Sequence, residues 1–446
     1  MSTSTDTIAA IASGTGRAGI GVVRISGPLA PHICREVCDR NLPIREACYL
    51  PFLTDEGVVL DRGIALLFEA PHSFTGEHVL ELQGHGGPVV LDMIMQRVLQ
   101  LGARPARPGE FSERAFLNEK LDLAQAEAIS DLIDSSSEAA ARAAVRSMSG
   151  EFSSHVALIQ EELIALRVWL EAALDFSEEE IDFLAEPVLQ ERTVNLIEQF
   201  DSLLLKAEQG QRLRDGLTIV IAGVTNAGKS SLLNALAGVD SAIVTDIEGT
   251  TRDVLREEIS IEGVPLHVVD TAGLRNTEDP VELEGIRRAR AQMDNADHVL
   301  VIIDATRPAL PLVELPESVS QSVIINKSDR VDEQTLESLQ KEFAASMSIS
   351  AKQGHGLEQL KSLLLSLAGH DSAVEGVYSA RRRHLDALYH AREATDAALY
   401  RLRQSTMPEL AAEELRLAQR SLDEITGRFD SEDLLGRIFS DFCIGK

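Results

Sequence analysis

Gly223-Val224-Thr225-Asn226-Ala227-Gly228-Lys229-Ser230 places a glycine, four residues and then Gly-Lys-Ser in the spacing of a loop that holds a polyphosphate. Glycines let such a loop curl until successive backbone N–H groups converge on the anion. Lys229 adds a compact positive charge, and the Ser230 hydroxyl is placed for Mg²⁺. Asn226, Ala227, Gly228, Lys229, Ser230 and Ser231 are the expected contacts. A chance glycine-rich turn has the same composition, so the flanks decide. Leu217-Thr218-Ile219-Val220-Ile221-Ala222 reads as a buried strand, and Ser231-Leu232-Leu233-Asn234-Ala235-Leu236 repeats its leucines at helical spacing. Strand, turn and helix start are the context that phosphate binding requires.

Three further signals follow in the order of a guanine-nucleotide switch. Val268-Val269-Asp270-Thr271-Ala272-Gly273 ends a strand with an aspartate for the Mg²⁺ site and a glycine N–H for the γ-phosphate. Asn326-Lys327-Ser328-Asp329 closes another strand, and its Asp329 carboxylate can accept both donors of the guanine edge, a contact adenine cannot match. Ser350-Ala351-Lys352 supplies backbone contacts to the base. Together these select GTP over ATP. Between them lies Thr245-Asp246-Ile247-Glu248-Gly249-Thr250-Thr251-Arg252-Asp253, where a threonine completes the Mg²⁺ shell and orders the first switch. Thr251 is assigned that role, with Thr250 beside it.

Leu274 is a departure. Ras-like switches place a water-orienting glutamine directly after Asp-x-x-Gly, and this chain has leucine. A catalytic group must come from elsewhere, or hydrolysis is feeble. Asn226 could hold a monovalent cation in place of an arginine finger, and Glu282 or Glu284 could orient water, with Arg275 as a rival. The residues alone do not separate the two glutamates. The chain ends Phe442-Cys443-Ile444-Gly445-Lys446, which fits a prenylation box badly. Cys443 reads as a spare thiol, or as a thiolate nucleophile carried on a chain end.

The elements that must position these groups fill 446 residues, too many for one core. Short β-branched runs alternate with helices from about 212 to 370, as a parallel sheet covered on both faces requires. Before it, Leu121, Leu123, Ala124, Ala126, Ile129, Leu132 and Ile133 trace one helical face and Ile159, Leu163, Leu166, Trp169 and Leu170 another. After it, Leu415, Ala418, Leu422 and Ile425 are again periodic, so the α/β module is inserted into a helical domain. At the N-terminus, Gly21–Ile25 and His78–Leu82 read as strands, Gly84-His85-Gly86-Gly87-Pro88 as a turn cluster and Val89–Leu101 as a helix. Arg24 and Glu81 are charges within strands, ordinarily a solvated face. The four cysteines form no disulfide framework, and Cys34 and Cys38 read as buried or incidental thiols rather than a zinc site. With no secretory leader and no long apolar run, a cytoplasmic protein is expected. A net charge of −29 and 4% aromatics argue against a broad nucleic-acid face. Residues 151–210 carry fourteen acids against three bases, whereas 373–446 carry thirteen against eleven.

Beyond the nucleotide motifs, the chain resembles the MnmE (TrmE) family of tRNA modification GTPases from end to end. The likeness rests on Asp6-Thr7-Ile8, on Gly109-Glu110-Phe111-Ser112-Glu113-Arg114-Ala115-Phe116-Leu117-Asn118 and on Lys120-Leu121-Asp122-Leu123-Ala124-Gln125-Ala126-Glu127-Ala128. It continues through Asp175–Phe183, Gly249–Asp253 and the Cys443-Ile444-Gly445-Lys446 end, with departures at Thr225 and at Ser13-Gly14-Thr15. The resemblance implies a multidomain α/β protein. Residues 1–118 would form an α/β tetrahydrofolate-binding and dimerisation domain, 119–211 and 373–446 the two parts of an all-α domain, and 212–372 an inserted P-loop GTPase domain with a mainly parallel sheet. It implies K⁺ held by Asn226, Thr245, Ile247 and Thr250, Mg²⁺ held by Ser230 and Thr251, and water oriented by Glu282. Arg24, Glu81, Lys120 and Lys446 would contact a formyl- or methylene-tetrahydrofolate, which reverses the solvated reading of the first two, and Cys443 would sit near the modification chemistry. The implied assembly is a homodimer that works with the flavoprotein MnmG (GidA), which carries FAD, to add an aminomethyl or carboxymethylaminomethyl group to the wobble uridine of certain tRNAs. A ribosome-assembly or regulatory GTPase acting as a binding switch is the alternative, although such proteins usually append a basic RNA-binding module. A membrane-remodelling GTPase would need an amphipathic or lipid-binding segment, which is not evident.

Overall fold

The structure is a computed structural model that describes residues 6–14, 16–135, 137–175, 187–224, 226–237, 256–261, 264–270, 293, 296–310, 319–343, 346–367, 376–404, 408–427, 438–439, 442 and 445. Contacts divide the chain into two compact units: Met1–Ser130 with Met148–Ala185 and Glu393–Lys446, and Asp131–Ser147 with Glu186–Arg392.

The first unit opens with a six-stranded sheet built from β1 (Ile8–Ile11), β2 (Ala18–Ser26), β3 (Cys48–Leu53), β4 (Val59–Phe68), β5 (Val79–Gly86) and β6 (Arg104–Pro105), in the order β3-β4-β5-β2-β1-β6. Only the β1–β6 pairing is parallel. Helices α1 (Ala30–Cys38) and α2 (Pro88–Gln100) close one face, where Val23, Ile25, Leu80, Leu82, Ile33, Val37, Ile94 and Val98 pack into one core. Cys34 and Cys38 belong to that core as free buried thiols.

One expectation is corrected here. Gly84-His85-Gly86 is not a turn but the last stretch of β5, and only Gly87-Pro88 changes direction, with Pro88 at the start of α2. Glycines persist in this part of the sheet because the backbones approach too closely for side chains. A Cβ on Gly63 would lie 2.1 Å from the Gln83 carbonyl oxygen, and one on Gly86 would lie 2.6 Å from that of Ala18.

Helix α3 (Glu110–Leu117) carries most of the Gly109–Asn118 signature into an ion-pair network. The Arg114 side chain is 4% exposed; it donates to Glu77 at 3.0 Å, to Asp6 at 2.8 Å and to Glu110 at 3.2 Å. Arg104 reaches the same Glu110 and Asp6, both at 2.5 Å. Burial alone would push Glu110 up, but bonds from Arg104, the Arg107 N–H and Arg114 hold it below the usual carboxylate range. Glu77 also accepts from Ser26 at 2.7 Å, so the network fixes the loop that leads into β5. Further helices of this unit are α4 (Leu123–Asp134), whose end enters the second unit, α6 (Glu151–Asp175) and α12 (Pro408–Thr426). Buried Gln160 on α6 donates to Asp423 on α12, and Arg167 donates to Gln419 at 2.6 Å, setting the register of that helix pair.

The second unit holds β7 (Leu217–Gly223), β8 (Arg256–Ile261), β9 (Val264–Asp270), β10 (His298–Asp304), β11 (Ser320–Asn326) and β12 (Met347–Ser348), in the order β12-β11-β10-β7-β9-β8. All neighbours are parallel except β8 against β9. Every residue of β10 is buried, as a central strand covered on both faces demands. Helices described in full in the module include α8 (Lys229–Ala237), α9 (Glu333–Glu342) and α10 (Leu357–Leu367); α8 and α10 supply Leu232, Leu233, Leu236, Leu360 and Leu364 to the core on one side of the sheet.

The chain enters this module from α7 (Pro187–Asp215) and leaves it towards α11 (Arg382–Gln404), while α5 (Glu138–Met148) packs in the same unit. A Cβ on Gly210 of α7 would lie only 1.6 Å from the Tyr378 carbonyl oxygen, so the incoming and outgoing backbones touch there. The outgoing segment is tied down by Asp131, which accepts from Ser379 at 2.6 Å and from Arg381 at 2.9 Å, and by Ser147, which donates to the Ser379 carbonyl at 3.0 Å.

Candidate functional site

The phosphate loop leaves the C-terminal end of β7, between β9 and β10, where an open α/β sheet presents its ligand crevice. Asn226 takes the left-handed conformation at φ 66° and Gly228 has φ 99°. These turns bring the chain into α8 at Lys229, whose nine residues present an N-terminus of the kind that receives anions. Lys229 is buried, and its Nζ donates to the Gly223 carbonyl at 2.9 Å, so the ammonium lies across the mouth of the loop. Ala227 is buried, while Ser230 and Ser231 are exposed on the first turn of the helix. Asp270 ends β9 one strand away, its backbone paired with Ile221.

The guanine-recognition residues are built around Asn326, which is 2% exposed. Its Nδ2 donates to the Ala227 carbonyl at 2.9 Å, and its Oδ1 accepts from the N–H groups of Lys327 at 2.8 Å and Ala351 at 3.1 Å. Asn326 therefore joins three of the motifs found in the sequence. Ser328 donates its N–H to Ile349 at 3.1 Å, and exposed Asp329 accepts from the Ser350 hydroxyl at 2.7 Å. That bond holds the Asp329 carboxyl below the usual range, as an acceptor for guanine should be. Lys352 is exposed at the same rim.

Thr245, Asp246, Ile247, Glu248, Gly249, Thr250, Thr251, Thr271, Ala272, Gly273, Leu274, Glu282 and its rivals Glu284 and Arg275, Cys443 and Lys446 lie outside the described residues. Sequence reasoning overlooked Asp304. It ends β10, and its Oδ2 accepts from Lys327 Nζ at 2.5 Å. A carboxylate closing a strand that runs Val299 to Ile303 without a polar residue was the available signal.

In the first unit, the solvated-face reading of Arg24 and Glu81 is overturned. They are direct cross-strand partners, joined at 2.9 Å, with side chains 24% and 17% exposed. The Arg24 guanidinium lies 5.8 Å from the Phe74 ring centroid and 5.9 Å from that of Phe111, and it donates to the Gly445 carbonyl at 3.5 Å. Lys120 follows the left-handed Glu119 and passes the loop bearing Phe74, its Cε 3.4 Å from where a Cβ on Gly76 would stand. The structure thus brings Arg24, Glu81 and the tail residue Gly445 together, with two aromatic rings that the sequence did not single out.

Comparison with known proteins gives two family matches: the GTP-binding protein TrmE N-terminus over residues 7–120, and the MnmE helical domain over residues 123–443. The chain is 53% identical to the tRNA modification GTPase MnmE of Ectopseudomonas mendocina (strain ymp), covering all of both chains. It is 55% identical to the protein of the same name from Pseudomonas aeruginosa (strain UCBPP-PA14), again over all of both. These matches run through both flanks of the nucleotide module as well as the module itself, and the chain belongs to the MnmE family of tRNA modification GTPases.

Proposed function

We propose that the chain hydrolyses GTP and that hydrolysis serves the modification of the wobble uridine of certain tRNAs. The observation that carries the GTPase reading is Asn326, which binds the phosphate loop, its own recognition loop and the Ala351 amide at once. The tRNA chemistry rests on likeness to relatives named for it over the full length.

In this reading Lys229 and the amides at the start of α8 hold the β- and γ-phosphates, and Asp329 accepts from the guanine edge. Ser230, exposed on the first helical turn, and Thr251 hold Mg²⁺, which neutralises phosphate charge when bound. The exposed, left-handed Asn226 stands at the rim of the loop, a placement suited to a monovalent cation. Asn226 with Thr245, Ile247 and Thr250 holds K⁺, and Glu282 orients the attacking water, which accounts for Leu274 in place of glutamine. In the first unit, Glu81 has the acceptor chemistry for a pterin amino group, Arg24 and Lys120 have the donors for a glutamyl tail, and the exposed Phe74 ring suits a flat heterocycle. Arg24, Glu81, Lys120 and Lys446 accordingly bind a formyl- or methylene-tetrahydrofolate, the source of the one-carbon unit, near Cys443. The protein acts as a cytoplasmic homodimer with the flavoprotein MnmG, which carries FAD and much of the tRNA surface that so acidic a chain lacks. Among the described residues no helix is long and apolar enough to cross a membrane.

The test compares GTP hydrolysis in potassium and in sodium at equal ionic strength, for the parent and for Asn226→Ala. A strong potassium preference that the substitution abolishes is expected. Equal rates in both salts would remove the role given to Asn226. Reconstitution with MnmG, the folate and tRNA then tests the modification itself, and failure to alter the uridine would return the chain to a binding switch.

A further inference from the structure

Among the described residues, two other than glycine occupy the left-handed region at the nucleotide site, Asn226 at φ 66° and Lys327 at φ 63°. Asparagine adopts that region readily, whereas lysine does so at a cost that its surroundings must offset. The two are directly joined: Lys327 Nζ donates to the Asn226 carbonyl at 2.7 Å. The same ammonium donates to Asp304 Oδ2 at 2.5 Å. Asp304 is itself fixed, because its Oδ1 accepts from the Thr306 N–H at 2.9 Å and the Thr306 hydroxyl at 2.7 Å. Its strand lies between the two that matter, with Ile302 paired to Gly223 of β7 and Asp304 paired to Asn326 of β11.

The consecutive carbonyls of the phosphate loop, Asn226 and Ala227, are thus gripped by consecutive side chains of the recognition motif, Lys327 and Asn326. Of these two grips, the one on Asn226 comes from a long, flexible side chain. Among the described residues, the carboxylate of Asp304, a residue only 8% exposed, is what pairs with the ammonium and determines where that chain end rests.

We propose that Asp304 is a positioning residue: by holding Lys327 Nζ against the Asn226 carbonyl it couples guanine recognition to the geometry of the cation-bearing turn, and so sets the monovalent-cation requirement of hydrolysis. The second half of this statement rests on the reading of Asn226 as a K⁺ ligand. Asp304 touches neither the nucleotide nor the cation in this scheme; it acts through Lys327. Without its charge, Lys327 is free to adopt other rotamers, the Asn226 peptide loses its donor, and the turn must be re-formed each time a cation binds.

The experiment uses the full chain with Asp304→Asn and Asp304→Glu. It measures release of a fluorescent GDP analogue by stopped flow, and the K⁺ concentration giving half-maximal GTP hydrolysis. A hydrogen bond to a charged group, lost in Asp304→Asn, should raise both quantities about tenfold, while Asp304→Glu keeps the charge and returns each to within about threefold of the parent. Parent values for both in Asp304→Asn overturn the proposal. Faster release with an unmoved K⁺ midpoint overturns the coupling, since a purely structural loss would loosen the nucleotide without shifting cation demand. Loss in Asp304→Glu as large as in Asp304→Asn also overturns it, because the charge would then not be what matters. If the parent hydrolyses GTP equally in potassium and sodium, the cation reading of Asn226 is what has failed. Release then decides alone: a parent rate in Asp304→Asn overturns the hold on Lys327, and a tenfold rise sustains it.

Discussion

Replacing Arg114 with methionine tests whether the buried ion-pair network holds the loop that leads into β5. Methionine matches the aliphatic stem of arginine, so the change removes charge and hydrogen bonds with little loss of packing. Arg114 donates to both Glu77 oxygens at 3.1 and 3.0 Å, to the Asp6 carbonyl at 3.1 Å, to the Asp6 carboxylate at 2.8 Å and to Glu110 at 3.2 Å. Its partners are not left equally exposed to the loss. Glu110 keeps Arg104 and the Arg107 N–H, Asp6 keeps Arg104 and at 44% exposed can be hydrated, and Glu77, at 16% exposed, keeps Ser26 alone among the described residues and partial contact with water. Breaking a buried pair by removing one partner costs roughly 3–5 kcal/mol, and this compensation places the cost near the lower bound, about 3 kcal/mol. Hydrogen–deuterium exchange of the intact protein reports it locally, without requiring the whole chain to unfold in one step. Peptides covering β1 and residues 71–78 should exchange roughly 150-fold faster, the factor that 3 kcal/mol represents. The control is Arg107→Met, whose side chain is 65% exposed and pairs with Glu113 at 2.9 Å. Its effect should stay below about fivefold, as for other surface pairs. Equal exchange in Arg114→Met and the parent would refute the reasoning, for Arg114 would then stabilise no more than a surface charge.

Two further outcomes follow from the second unit. His298 is buried between the Ser320 and Ser322 hydroxyls, at 2.6 and 3.0 Å, and desolvation pushes its imidazole below the ordinary range. The unfolded chain therefore binds the extra proton first as pH falls through about 6.5, so stability rises with pH up to that point and is flat above it. Exchange of β10 and β11 peptides, corrected for intrinsic rate, should show this slope in the parent and lose it in His298→Gln; the same slope in both would sink the assignment. Gly228→Ala puts a Cβ 2.2 Å from Asn326 Nδ2, at a residue with φ 99°. Backbone strain and the displaced hydrogen bond together cost about 2.7 kcal/mol, roughly a hundredfold in GDP affinity, and a Kd within threefold of the parent would contradict that packing.

The nucleotide module was legible because its signals are local. β7 is a run of apolar residues, the loop is spelled out in consecutive positions, and Asn326 to Asp329 are contiguous. What stayed hidden depends on contacts across strands. Arg24 and Glu81 lie 57 positions apart, and only the β2–β5 register makes them a pair. Asp304 was passed over because its partner Lys327 comes within reach only once β10 lies beside β11. The turn expected at Gly84-His85-Gly86 failed for a related reason. Glycine is the residue of turns, but it is also the residue of close backbone approach, and local sequence does not distinguish the two uses. The binding role proposed for Arg24 and Glu81 rests on family likeness, since no spacing within the chain points to it.

The contact between Gly210 and Tyr378 bears on how such a chain could have arisen. The polypeptide departs for the α/β module and comes back at the same point, so the module closes on itself like a purse drawn at the neck. Its ends meet before the rest of the protein is considered, and the entropic cost of bringing distant chain ends together is met inside the module. A unit of that kind can be spliced into an existing helical protein, or lost from it, without rerouting the segments on either side. The closure depends on the glycine at position 210, since any side chain there would hold the two buried backbones apart.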